Sequence, residues 1–142
     1  SFWIVGNSPA EKIKKLARED KSIVITGFVE DIRPFIAGAG VFIVPLRIGS
    51  GTRLKILEAM SMEKPIVSTS IGCEGMDVNH LENIIIADEP QYFAGSIIEL
   101  FQNPALGTRL GIAGRRLVEK KYSWDRIIEQ LNCAVRQLNN TP

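Results

Sequence analysis

Val41-Phe-Ile-Val-Pro-Leu-Arg-Ile-Gly-Ser-Gly-Thr-Arg-Leu-Lys-Ile-Leu-Glu-Ala-Met60, continued by Ser-Met-Glu-Lys-Pro-Ile-Val-Ser68, reads as strand, loop, helix, strand. The apolar run Val41 to Val44 is too short for a helix and suits a buried strand, which Pro45 ends. Gly49-Ser50-Gly51-Thr52 supplies a flexible turn, with Ser50 and Thr52 as cap oxygens. Leu54, Leu57 and Met60 recur every three residues and predict one apolar face for the helix that follows.

A helix entered straight from a glycine turn offers free backbone N–H groups and the positive end of its dipole. It is therefore suited to hold a phosphate, with the amides of Ser50, Gly51 and Thr52 as the cradle. Glu58 lies about 40° round from Leu54 at 100° per residue, on the border of the expected apolar stripe. A carboxylate there needs a cation or a pair of hydroxyls. An i,i+3 pair with Lys55 on a solvated edge is the alternative, and spacing alone leaves both open.

Composition bounds the rest. A chain of 142 residues predicts a single domain covering 1–142, large enough for a sizeable core. Its 45% apolar and 23% charged fractions are ordinary for a globular protein. With 17 basic and 16 acidic residues the net charge is +1, so no footprint for nucleic acid or an anionic membrane is visible. Cys73 and Cys133 have neither metal-ligand nor disulfide spacing, which fits a reducing, cytoplasmic compartment. No apolar run approaches a membrane span and no signal-peptide pattern opens the chain. A strand begins directly after Ser1, an opening expected of a piece of a longer polypeptide.

Taken in order, Phe2–Val5 is predicted as the first strand, with Ser8 as N-cap and Pro9 opening a helix through Ile13 and Leu16. Ser22–Thr26 is the second strand, and Asp31 caps a short helix over 32–39. Pro65–Thr69 and Asn83–Ala87 are the fourth and fifth strands, with loop or a short turn between. Helices are then expected over Gln91–Phe101, from Asn103 and Pro104 to about Tyr122, and from Ser123 onward. The first of these carries Phe93, Ala94, Ile97, Ile98 and Phe101 as its apolar side.

Strands alternating with helices argue for an α/β fold with a parallel sheet covered on both faces. Strands as apolar as Ile84-Ile-Ile86 agree, since burial on both sides removes the need to alternate. Right-handed crossovers place the loops Gly6–Pro9, Gly27–Asp31, Pro45–Gly51 and Ser70–Gly75 at one sheet edge, where such folds bind ligands.

Leu57-Glu-Ala-Met60 with Lys64-Pro-Ile-Val67 resembles the carboxyl-terminal domain of retaining glycosyltransferases of family 4. Phe2-Trp-Ile-Val-Gly6, Thr26-Gly-Phe-Val29 and Tyr122-Ser-Trp124 resemble it in order and spacing, so the likeness runs from Phe2 to about Leu138. It implies the GT-B build: a Rossmann-like three-layer α/β/α domain with about five or six parallel strands and a helical C-terminus. Such a domain is the donor-binding half of an enzyme that moves a sugar from a nucleoside diphosphate sugar to a hydroxyl acceptor with retention. The implied partners are that nucleotide sugar and a missing amino-terminal acceptor domain, with peripheral membrane association of the full-length protein left open.

The resemblance also implies site residues. Glu58 matches the second glutamate of the family's signature pair and would hold the ribose hydroxyls. The position eight residues earlier is Ser50 rather than glutamate, so only the Ser50 or Thr52 hydroxyl stands near the donor sugar. Gly6, Phe28, Val29, Gly49, Gly51, Thr52, Lys55 and Glu74 complete the expected donor contacts, Lys55 and Arg53 being the nearby cations. Both are equally readable as solvated helix residues, and Glu74 as an exposed loop charge. Cys73 reads as a small loop residue, His80 as a solvated one and Asp31 as a cap, so no Ser-His or Cys-His mechanism has its base. The acidic residues form no Asp-x-Asp pair near the predicted edge, so neither metal nor other cofactor is expected. Gly6-Asn-Ser-Pro9 lacks the three spaced glycines of a dinucleotide fingerprint. A non-catalytic nucleotide-binding or interaction module, or part of a sugar-nucleotide epimerase, are the competing readings.

Overall fold

The structure is a computed structural model that describes residues 1–49, 51 and 53–139. It divides into two compact units, Ser1–Gly38 and Ala39–Pro142. The first contains strand β1 (Phe2–Val5), helix α1 (Glu11–Glu19), strand β2 (Ile23–Gly27) and helix α2 (Arg33–Gly38). β1 and β2 pair in parallel with Phe2 opposite Ile23 and Ile4 opposite Ile25, and the register shifts at Val5. Trp3 packs on Phe35 of α2 with ring centroids 5.9 Å apart.

Two expected caps have different outcomes. Asp31 serves as one: its Oδ1 accepts the backbone N–H of Arg33 at 2.9 Å and the Arg33 Nε–H at 2.8 Å. Ser8 does not. Its φ is +54°, its own N–H donates to Asn7 Oδ1 at 2.8 Å, and α1 starts after Ala10 instead. The asparagine side chain builds a turn one residue earlier than a Ser-Pro cap requires.

The second unit contains β3 (Phe42–Val44), α3 (Leu54–Ser61), β4 (Ile66–Ser68), a 3-10 turn at Ile71–Cys73, β5 (Ile85–Ile86), α4 (Pro90–Gln102), α5 (Pro104–Leu117), a π-helical turn at Val118–Tyr122 and α6 (Trp124–Asn139). Its three strands are parallel in the order β3-β4-β5. The central strand is buried along its whole length, which explains why Ile66 and Val67 need no polar alternation. Val67, Ile85, Ala87, Leu100 and Leu110 form the core between this sheet and helices α4 and α5. The five described strands are thus a parallel pair and a parallel triple.

Asn103 caps α5 as expected, its Oδ1 accepting the Leu106 N–H at 3.1 Å, with Pro104 in the first turn. α5 crosses the Glu63 turn so closely that a Cβ on Gly111 would lie 2.1 Å from the Glu63 carbonyl oxygen. The apolar side predicted for α4 is only partly buried. Ile98 and Phe101 are exposed, while Ser96 is buried with its hydroxyl donating to the Tyr92 carbonyl at 2.9 Å. A serine that returns its hydrogen bond to its own helix passes as a core residue.

Candidate functional site

The glycine turn and α3 form one side of the candidate site. Gly51 has φ +86°, a left-handed conformation that favours glycine and turns the chain toward the helix. Ser50 and Thr52 lie outside the described residues, so the expected roles of their hydroxyls and amides stay expectations. Gly49 is exposed and packs on the guanidinium of Arg53, the residue that precedes α3.

The apolar stripe of α3 differs from the expected one. Ile56, Ala59 and Met60 are buried, together with Arg53, whereas Leu54 is 62% exposed. Glu58 therefore lies about 170° from the mean direction of the buried set at 100° per residue. It is not on a stripe border but near the middle of the exposed face, beside Leu54 and Lys55. The premise of a half-buried carboxylate in need of a partner is thus corrected. Its physical reason is Arg53, which is buried against the loop after β4, so that positions 53, 56, 59 and 60 rather than 54, 57 and 60 face inward.

Arg53 itself is not solvated. At 7% exposure its guanidinium donates to the carbonyls of Ile71 (2.8 Å) and Gly49 (3.3 Å), and Nη2 stands 3.9 Å from Glu74 Oε2. It ties the loop after β3 to the loop after β4. Acceptors of this kind, hidden in a sequence, are what make a buried arginine tolerable. Lys55 is exposed.

The loop after β4 is built to the same tightness. The Thr69 hydroxyl donates to the Leu46 carbonyl and accepts the Gly72 N–H at 3.0 Å. The Thr69 N–H reaches the Val44 carbonyl at 3.2 Å. Ser70 donates both its N–H (2.8 Å) and its hydroxyl (2.9 Å) to Asp88 Oδ1, fastening this loop to the segment that follows β5. Within the second unit, then, the loops Pro45–Gly51 and Ser70–Gly75 do meet at the carboxyl ends of the strands, as predicted. In the first unit the loops after β1 and β2 also meet, because Gly6 and Gly27 form an antiparallel bridge. Phe28 beside it is 74% exposed and Val29 half-buried.

The remaining candidates are structural. Cys73 is buried, and that burial pushes its thiol up, away from a nucleophile's range. His80 is exposed but not merely solvated, since its Nδ1 accepts the Ile86 N–H at 3.0 Å and holds the approach to β5. Among the described residues no group of three or more His, Cys, Asp or Glu side chains gathers as a metal site, and no helix is long and apolar enough to cross a membrane. Arg53 is the participant whose place the sequence did not give. The sole signal was an arginine at the position just before a helix, where cations are disfavoured.

The family profile described as glycosyl transferases group 1 matches residues 1–103. An uncharacterized 44.6 kDa protein in the cps region of Klebsiella pneumoniae is 30% identical over 102 residues, which are 72% of this chain and 26% of that protein. The human alpha-1,3/1,6-mannosyltransferase ALG2 is 30% identical over 83 residues, 58% of this chain and 20% of that protein. The chain thus spans about a quarter or less of the length of these relatives. HepE of Anabaena, solved in complex with UDP, superposes with a TM-score of 0.80 at 18% identity, over 95% of this chain and 40% of that one. That likeness shows the fold, a Rossmann-like α/β domain of the GT-B kind.

Proposed function

This chain belongs to the glycosyl transferases of group 1, and we propose that it holds the donor of such an enzyme, a nucleoside diphosphate sugar. The observation that carries this is the exposed face of α3. Glu58 and Lys55 stand on it, one to two turns behind the Gly49–Gly51 turn, with no core role to explain them. Glu58 takes the ribose hydroxyls, the first-turn N–H groups with Ser50, Gly51 and Thr52 take the distal phosphate, and Lys55 adds positive charge. Fixed donors aimed at a leaving diphosphate stabilise the charge that grows there as the glycosidic bond breaks. The sugar passes, with retention of configuration as in family 4, to a hydroxyl acceptor held by a further part of the full-length protein. Neither metal nor other cofactor is needed for this assignment. A cytoplasmic compartment suits Cys133, an exposed free thiol.

Glu58→Gln tests the reading. Loss of a charge-assisted pair contributing roughly 1.5–3 kcal/mol should weaken nucleoside diphosphate binding at least tenfold while the melting transition stays put. Unchanged affinity in a calorimetric titration would remove Glu58 from the site. Amide shifts of Ser50, Gly51 and Thr52 that respond to a nucleoside diphosphate but hardly to the nucleoside would support the phosphate cradle. One observation favours a second reading, a nucleotide-binding module without transfer: Ser50 stands where the family signature has glutamate. Donor binding without transfer or donor hydrolysis by the full-length protein would decide for it.

A further inference from the structure

Among the described residues, Arg53 is the only charged one that is buried. Its position ahead of α3 is at the positive end of that helix, where a cation is disfavoured, and burying a guanidinium is costly in itself. The carbonyls of Gly49 and Ile71 give it hydrogen bonds but no neutralising charge. Glu74 brings that charge, with Oε2 3.9 Å from Nη2. The pair is lopsided: the arginine side chain is 6% exposed and the glutamate side chain 73%. A carboxylate with a buried cation behind it and solvent in front keeps its acceptor oxygens open to a ligand.

We propose that Glu74 discriminates donors by accepting hydrogen bonds from hydroxyls of the donor's sugar ring, and that Arg53 is its positioning residue. This rests on the reading of the site as one for a nucleotide sugar. The charge on Glu74 decides which part of the donor it meets. A carboxylate repels a diphosphate but accepts readily from neighbouring hydroxyls, so its partner is the sugar. Arg53 does not reach a ligand itself, because the loop carbonyls and Gly49 enclose it. Its anchor on the far side is closely packed. A Cβ on Gly72 would lie 2.3 Å from Ser68 Oγ and 2.8 Å from the Val44 carbonyl oxygen, so the turn that presents the Ile71 carbonyl is seated on the strand ends. Arg53 thereby sets both the spacing of the two loops and the place of the Glu74 carboxylate.

The test compares UDP, GDP and ADP with UDP-glucose, GDP-mannose and ADP-glucose, titrated into the full-length protein. Glu74→Gln should leave the diphosphate affinity of wild type and lose about tenfold for the preferred sugar nucleotide, the value of one charge-assisted hydrogen bond. Arg53→Met, which also frees the Gly49 turn, should lose at least as much for the preferred sugar nucleotide, and adding Glu74→Gln to it should cost that ligand nothing more. Arg53→Lys, which keeps the charge but not the fork of donors, should recover part of the loss. If Arg53→Met does not fold, Glu74→Gln and Arg53→Lys still carry the comparison. Wild-type affinity of Glu74→Gln for the preferred sugar nucleotide overturns the proposal, and so does an equal loss for diphosphate and sugar nucleotide. In either of those cases a tenfold effect of Glu58→Gln leaves the donor site itself standing. A wild-type protein that binds none of the six compounds removes the nucleotide-sugar reading and this proposal with it.

Discussion

The phenolic oxygen of Tyr122 accepts the backbone N–H of Asp77 at 2.9 Å, across 45 positions of sequence. The Asp77 carboxylate in turn takes the Lys121 ammonium at 2.8 Å. The π-helical turn Val118–Tyr122 thus grips the irregular stretch between Cys73 and β5 at Asp77. Tyr122→Phe removes the acceptor and nothing else. The expected cost is about 0.5–1.5 kcal/mol, read as a lower midpoint of denaturant unfolding with an unchanged slope. A midpoint equal to wild type would show that water replaces the phenol at Asp77.

The two cysteines differ in reactivity. Cys133 is exposed on α6, whereas Cys73 is buried and its thiol pushed up by that burial. Iodoacetamide at pH 8 should therefore modify Cys133 within minutes and spare Cys73 until denaturant is added, as mass spectrometry of peptides will report. The sign of the pH effect follows. A thiol raised in the folded state costs no stability below its unfolded value, near 9.0, and lowers stability as pH rises through its folded value. Alkaline destabilisation above about pH 9 should accordingly be weaker in Cys73→Ala than in wild type. Rapid labelling of Cys73 in the native protein would contradict its place under the Ser70 loop.

Gly72 and Gly95 make a matched pair. At Gly72 an added Cβ meets Ser68 Oγ at 2.3 Å and backbone oxygen of Val44 at 2.8 Å, neither of which has room to withdraw. Gly72→Ala is expected to cost about 1–3 kcal/mol, the range of overpacked cores. At Gly95, inside α4, the same Cβ has nothing within 4 Å. Gly95→Ala should stabilise by about 0.4–1 kcal/mol through helix propensity and a less flexible unfolded chain. Equal effects of the two substitutions would show that the loop after β4 yields as freely as a helix surface.

The strands were legible because β-branched runs bounded by Gly and Pro have few other uses: β1 lies at Phe2–Val5 as predicted, and β4 falls inside its predicted span. The caps at Asp31 and Asn103 were legible for a similar reason, since each short polar side chain satisfies a nearby N–H. What sequence alone did not give depends on partners far along the chain. Nothing local says that Arg53 will find a carbonyl at Ile71 and a carboxylate at Glu74, so the buried face of α3 was read one residue out of phase. That single rotation carried Glu58 from the expected border to the open face. Likewise Ser8 has the composition of a cap, yet Asn7 claims its N–H first.

The last expectation concerns the 142-residue chain used alone. It covers 26% and 20% of the length of the two relatives. Along α6, Trp124, Ile128, Leu131 and Val135 leave apolar surface exposed. Transfer requires donor and acceptor to be held together in a closed cleft, and orientation of that kind is worth about 7–11 kcal/mol. A domain that binds the donor but does not orient an acceptor forgoes most of that. The isolated chain should therefore bind a nucleotide sugar more weakly than the full-length protein and transfer nothing. The measurement is an assay with a panel of nucleotide sugars, followed for transfer and for donor hydrolysis, beside the full-length protein. Turnover by the isolated chain near the full-length rate would mean that every group needed for the chemistry lies within these residues, and the two-domain reading would fall.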